Sequence, residues 1–477
     1  MSNLYIFAIG GSGSRVLRSM AMMLASGIKT QSNIIPMIID PDASNGDLIR
    51  TVSLLRQYES IHGQLNFDSS LKSSFFSSPI TALNNDGSYL LPLVGTAGIN
   101  FDKYLNLSAM SQENQAFAKM LFSNANLSST MDVGFKGNPN IGSIVLNQFT
   151  QSNVYQKFES GFVDGDKVFI ISSIFGGTGA SGFPLLLKSM RTSKNAALAN
   201  APIGAVSLLP YFNLQTNPDS SIQADSFITK TKAALNYYEK NVTGNGTLNE
   251  MYYLGDDFSG YGYDNCDGGD NQMNDAHIIE LLASLALFDF DSKELGAPTG
   301  TNFHEFGLQG DPAKEAIFSD FGNITKRKIE LPLSMMSILN SYLNNRDVNH
   351  RTSQRWAKDR SGVLGESFFT SSFFDEYTRF KNEFEEWQAE LARNHMGFKP
   401  FNDDENIRET DGLDKVVGVT PRYSGFIIGR KKGYDLIDEK LGKKLSTIQD
   451  NLSPQVTFME LFYVTLKEVC SDNLNIK

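Results

Sequence analysis

The chain has 477 residues, 41% hydrophobic and 20% charged, and its 42 Lys and Arg against 53 Asp and Glu leave a formal charge of −11. That length predicts two or three domains, and the balance excludes disorder along the whole chain. An acidic surface argues against direct nucleic-acid or anionic-membrane binding, which needs clustered cations, but it leaves room for one nucleotide held by backbone amides.

In chain order, residues 4–9 read as a buried strand and 14–26 as a helix ending at Gly27. Residues 34–40 form a second apolar run that stops in the turn-prone Asp40-Pro41-Asp42. Residues 44–133, with a Ser/Phe-rich stretch at 67–78, read as an insertion into the sheet. Residues 167–171 are a third strand, followed by Gly-rich sequence and a helix at 183–190. Residues 203–209 and 251–254 are the fourth and fifth strands, and the Gly-, Asp- and Asn-rich 258–271 must be loop. Residues 274–290 form a long, largely apolar helix of the kind buried between domains. Beyond about Thr301, helical stretches such as 374–394 mix with strand-like pieces such as 425–429. The alternation predicts an α/β fold with a mainly parallel, Rossmann-like sheet whose ligands bind beyond the carboxyl ends of the strands. The expected division is a nucleotide-binding domain at 1–271 with the insertion at about 44–133, a central helix at 272–291, and a smaller α+β domain at 292–477.

Several chemistries are excluded. Cys266 and Cys470 are too few and too distant for a disulfide framework, and the five His residues never pair at metal-ligand spacing, so no metal site is expected within the protein itself. Asp264-Asn265-Cys266-Asp267-Gly268-Gly269 does not fit the EF-hand ligand spacing. The start of the chain lacks a basic n-region and no apolar run nears the length of a membrane span, so a cytoplasmic location is expected. Arg430-Lys431-Lys432 reads as a solvated turn.

Three Gly-bearing loops carry the chemistry. Gly10-Gly11-Ser12-Gly13-Ser14 follows the first strand and opens a helix. Such a turn lets backbone N–H groups approach an anion at the positive end of a helix, although tight strand-on-helix packing also uses Gly. It has neither the G-x-G-x-x-G spacing of a dinucleotide enzyme nor the Lys-Ser/Thr of a P-loop. Gly176-Gly177-Thr178-Gly179-Ala180-Ser181-Gly182 is a second such entry, with hydroxyls added. The third, Gly134 to Gly142, runs into a helix with Pro139 near its start. Loops on strands of one parallel sheet can converge on the same phosphates.

These motifs resemble the tubulin/FtsZ superfamily. Phe175-Gly176-Gly177-Thr178-Gly179-Ala180-Ser181 looks like the signature G-G-G-T-G-[ST]-G, departing at Phe175, Ala180 and Ser181, and Pro184 falls where bacterial members commonly have one. Ala8 to Arg15 resembles the first nucleotide loop, with Arg15 in place of Asn. Ile39-Asp40-Pro41-Asp42-Ala43 is similar to N-T-D-A, and Gly137-Asn138-Pro139-Asn140-Ile141-Gly142 to the γ-phosphate loop A-N-P-x-x-G. Leu209-Pro210-Tyr211-Phe212 is similar to T-K-P-F, with Asn213 where FtsZ has an acid, and Asn274-Asp275 stands where the family's base-contacting Asn-Asp opens the long helix. The resemblance covers about residues 1–290 and points to a divergent bacterial tubulin-like protein.

The resemblance implies GTP or GDP as ligand, with Mg²⁺, and a head-to-tail filament of copies of the chain, with a protein adaptor as a further partner. It implies nucleotide contacts from Gly10, Gly11, Ser12, Gly13, Ser14, Arg15, Gly137, Asn138, Gly176, Gly177, Thr178, Gly179, Ala180, Ser181, Asn213 and Asn274. Asp42 is either an outer-shell partner of Mg²⁺ or a turn cap, and His277 either meets the base or packs at the domain junction. Hydrolysis in the family uses acids after the long helix, and the candidates are Asp289, Asp291 and Glu305, none in the family's pattern. Nucleotide binding is therefore implied more directly than turnover. A regulator or assembly factor that neither polymerises nor hydrolyses is the alternative, and a dinucleotide enzyme stands well behind.

Overall fold

The computed structural model describes residues 2–477 except 68, 69, 85, 97, 132–134, 136, 215–224, 257–261, 264–268, 270, 271, 306–313, 360, 361, 395, 396, 403–411 and 424–430. Eight strands are described: β1 (Asn3–Ile9), β2 (Asn33–Ile39), β3 (Lys167–Ser173), β4 (Ile203–Leu208), β5 (Asn213–Leu214), β6 (Glu250–Leu254), β7 (Gly262–Tyr263) and β8 (Asn302–Glu305). Six form one sheet in the order β2-β1-β3-β4-β6-β8, every neighbouring pair parallel, and β5 pairs with β7 apart from it. The fold is thus α/β with a Rossmann-like parallel sheet, as the alternating pattern predicts.

Described helices of seven or more residues are numbered in chain order: α1 (Gly10–Ala25), α2 (Gly46–Gln64), α3 (Gln112–Leu121), α4 (Pro139–Val145), α5 (Asn153–Gly161), α6 (Gly177–Arg191), α7 (Asp225–Tyr238), α8 (Ile278–Asp291), α9 (Asn323–Asn345), α10 (Ser372–Arg393), α11 (Gly433–Lys444) and α12 (Pro454–Leu474). None is long and apolar enough to cross a membrane.

Both faces of the central strands are covered, so these strands read as unbroken apolar runs rather than alternating ones. On one face Leu4, Ile6 and Ala8 pack with α1, α2, α8 and the C-terminal helices. On the other, Tyr5, Phe7 and Ile9 pack with α4, α5 and α6. From β1 the chain moves outward to β2, then returns to place β3 on the other side of β1. The carboxyl ends of β1 and β3 therefore flank a topological switch point, from which α1 and α6 leave on opposite faces.

The insertion begins with α2, a regular layer helix capped by Asn45. The segment after it closes the outer edge of β2. Ile34 exchanges hydrogen bonds with Pro79 and Thr81, and Ile38 with Tyr89 and Leu91. Pro36, which has no N–H to donate, lies between these two points.

The central helix starts later than its apolar pattern suggests. His277 is its N-cap, accepting from Ile279 N at 3.2 Å while Glu280 accepts from His277 N at 3.0 Å, so residues 272–277 precede the helix. Beyond it, β8 joins the main sheet, and the described chain after β8 is helical apart from bridges at Ala316–Phe398 and Phe401–Val416. The strand expected at 425–429 lies outside the described residues.

Candidate functional site

α1 and α6 begin at Gly10 and Gly177, earlier than the sequence pattern places them, because each Gly-rich stretch is the first turn of its helix. Neither start is closed by a side-chain cap, and neither first turn holds an acid. Asn45, Ser111, Ser152, His277, Ser371 and Ser453 cap α2, α3, α5, α8, α10 and α12, while α4, α9 and α11 also lack a side-chain cap. The first N–H groups of a helix need acceptors, and together with the helix dipole they attract an anion. Gly10 adopts φ +75°, a conformation that costs an L side chain strain, and a Cβ there would lie 3.6 Å from that of Thr178. The two helix starts therefore adjoin at the switch point.

The glycines divide by duty. A Cβ on Gly13 would stand 2.8 Å from the Ala8 carbonyl carbon, and one on Gly179 2.5 Å from the Ser173 oxygen. Those two let helix approach strand. A Cβ on Gly11 would meet nothing closer than 3.7 Å, so packing does not require a glycine there.

The third loop lies against the second. A Cβ on Gly177 would be 3.0 Å from Asn138 N and 3.2 Å from Gly137 N. Gly137 has φ +69°, and α4 follows with Pro139 in its first turn. Residues 134 and 136 of this loop lie outside the described residues. Lys230, which no motif flagged, reaches across from α7 and donates from Nζ to the Gly137 carbonyl at 2.8 Å. It is half-buried, and burial lowers its pKa.

Other expected contacts are differently employed. Arg15 is buried and donates to Glu280 (2.5 Å), Asp47 (3.0 Å) and the Tyr211 hydroxyl (2.7 Å), and the Tyr211 hydroxyl also donates to Glu280 at 2.8 Å. Arg15, which stands in place of the first-loop Asn, thus belongs to an ion network within the chain. Asp47 also pairs with Arg50 at 2.7 Å and accepts from the backbone and side chain of Asn274 at 3.2 and 2.9 Å. Asn274 is an exposed residue ahead of the helix. Glu390 of α10 binds Arg18, Arg50 and the Ala276 amide, carrying the network into the C-terminal helices. His277 is buried against Tyr211, with ring centroids 5.0 Å apart, and burial together with the Arg15 charge lowers its pKa to about 3. It caps α8.

Ser14 is fully buried. Ser12 is 3.4 Å from Arg15, and the Ser181 hydroxyl is turned back to the Gly177 carbonyl at 2.6 Å. The Ala180 carbonyl accepts from Tyr238. Asn213 lies in β5, away from the main sheet. Asp42 is buried as a turn cap, accepting from Ser44 N at 3.1 Å and from Gly269 N at 2.7 Å. Among the described residues no group of three or more His, Cys, Asp or Glu could hold a metal ion.

Two of the three acids, Asp289 and Asp291, lie toward the amino edge of the sheet, whereas Glu305 ends a parallel strand at its carboxyl edge. Asp289 accepts from Tyr252 at 2.7 Å and pairs with Lys293 at 2.9 Å. Asp291 accepts from Gln31 N at 2.6 Å, while its carbonyl accepts from Lys167 at 2.8 Å. Gln31 precedes β2 and Lys167 opens β3, so Asp291 stands at the amino edge of the sheet, opposite Gly10. Glu305 ends the edge strand β8 and is exposed.

The chain matches no protein-family model and no curated protein. Among solved structures it is similar to CetZ from Methanosaeta thermophila strain DSM 6194, at 14% identity and a TM-score of 0.28 over 54% of this chain and 46% of that one. It is likewise similar to the empty FtsZ dimer of M. jannaschii, at 15% identity and a TM-score of 0.27 over 54% and 45%. With the GDP-bound CetZ1 monomer of Haloferax volcanii the identity is 12% and the TM-score 0.32, over 62% of each chain. The chain spans about half the length of the first two. At identities and scores this low, the fold and the site rest on the chain's own geometry.

Proposed function

We propose that the chain binds a guanine nucleotide by its phosphates in the crevice between β1 and β3, and that copies of it assemble head to tail. The observation that carries the phosphate reading is the meeting of two helix starts, α1 and α6, neither closed by a side-chain cap or a first-turn acid, with the Gly137–Asn138 loop laid against the second. Backbone amides and helix dipoles supply the positive potential, so no P-loop lysine is required. The choice of guanine rests on the order of the sequence motifs.

Mg²⁺, when bound, would neutralise phosphate charge. Both Asp42 oxygens are engaged within the chain, so phosphate oxygens and water would be its main ligands. A second reading, binding without turnover, is favoured by one observation: Asp289 and Asp291 are already committed to Lys293, Tyr252 and Gln31.

Chromatography of the denatured supernatant of purified protein tests the binding claim. GDP or GTP should be released by the wild type, and little or none by Gly11→Val or Gly177→Val, whose side chains would obstruct the amides. A nucleotide-free wild type, or full retention by both variants, overturns the pocket. GTPase activity rising steeply with protein concentration would rule out the second reading.

A further inference from the structure

Lys230 is a half-buried cation with an unusual environment. Among the described residues its ammonium meets one neutral acceptor, the Gly137 carbonyl at 2.8 Å, and no carboxylate. Burial lowers its pKa, and no carboxylate among the described residues offsets that effect. An ammonium has three donors, and the Gly137 carbonyl takes one. Gly137 is also the residue that touches the start of α6: its amide lies 3.2 Å from where a Gly177 Cβ would be, and a Cβ of its own would lie 3.3 Å from Lys230 Nζ. The lysine and the uncapped helix start thus flank the same glycine. Among the described residues Arg15 is a second cation near the helix starts, and it is fixed by Asp47 and Glu280.

We propose that Lys230 is the terminal-phosphate contact of this site, its ammonium passing from the Gly137 carbonyl to an oxygen of the third phosphate of a nucleoside triphosphate. The inference rests on the phosphate reading above and adds to it a group that distinguishes triphosphate from diphosphate. The inner phosphates belong where α1 and α6 adjoin, at Gly10 and Thr178. The Gly137 loop lies on the other side of Gly177, where a longer phosphate chain would end.

Isothermal titration of the full chain with GTPγS and with GDP tests this. The wild type should prefer GTPγS. Lys230→Ala and Lys230→Gln should bind GTPγS about tenfold to a hundredfold more weakly, the range expected for one charged hydrogen bond, with GDP affinity within about twofold of wild type. Lys230→Arg should recover most of the preference. If the wild type binds both nucleotides and the two neutral variants keep its GTPγS-to-GDP ratio, or lose both ligands equally, the Lys230 assignment fails while the pocket stands. If the wild type binds neither, the phosphate reading itself fails and takes this assignment with it. Wild-type-like thermal melts of the variants keep a folding defect from being mistaken for either result.

Discussion

Arg15, Arg18 and Arg50 face Asp47, Glu280 and Glu390, three cations against three anions in a largely buried set. Removing one partner of such a set leaves an uncompensated charge, which is costlier than the pair's own worth. His277 is caught in this field: it caps α8 as a neutral imidazole, with its pKa pushed down to about 3 by burial and then by Arg15. An unfolded chain would protonate it near pH ~6.5. Its contribution is therefore complete above about pH 6.5. It is lost as pH falls toward 3, at ~1.4 kcal/mol per pH unit, because only the unfolded chain takes up the proton. Asp40 runs in the opposite sense: burial, then the Asp42 and Asp47 charges, push it up to about 7, so its contribution fades as pH rises from about 4 to about 7. His277→Asn puts a capping oxygen in place of the capping ring nitrogen Nδ1 and removes the titration. Denaturant melts from pH 7 to pH 4 should show the variant gaining on wild type as pH falls, and parallel curves would mean that His277 does not hold its proton off.

The element scale separates glycines that packing requires from glycines that it does not. Gly179→Ala drives a Cβ to 2.5 Å from the Ser173 oxygen, a backbone atom that cannot step aside. That change should cost about 1–3 kcal/mol, visible as a lower denaturation midpoint. Gly11→Ala meets nothing closer than 3.7 Å and should leave the midpoint unchanged. Equal destabilisation by both would show that the packing distinction is wrong. This division was only half legible beforehand. Strands β1 to β4 and β6 were readable because chains covered on both faces are apolar throughout, and the three Gly-rich entries were readable by their position after strands. The helix starts were misplaced by several residues, since a Gly-rich first turn looks like loop. Lys230 and the Arg15 network were illegible for a different reason: Arg15 and Glu280 are separated by 265 positions, and no local spacing encodes such a meeting.

For the whole molecule, the C-terminal helices do not form a separate core. Residues of α9, α10, α11 and α12 share one apolar cluster with α1, α2 and α8. Polar ties reinforce it: Trp387 donates to Ser19 at 3.1 Å, and Glu460 accepts from the Lys72 and Ser73 amides at 2.9 and 2.6 Å. Thermal or denaturant unfolding should accordingly proceed in one transition seen alike by tryptophan fluorescence and by far-ultraviolet dichroism. Two resolved transitions would show that the halves are independent. The join between Arg18 and Glu390 also sets a schedule for synthesis, because the two residues are 372 positions apart. A ribosome adding about 5–20 residues per second reaches the glutamate about 20–75 s after the arginine. Throughout that interval the face of the first helix that the C-terminal helices cover stays open to water, with Arg18 solvated and without Glu390. The amino-terminal half therefore shows water an apolar face until the helix that carries Glu390 has been made.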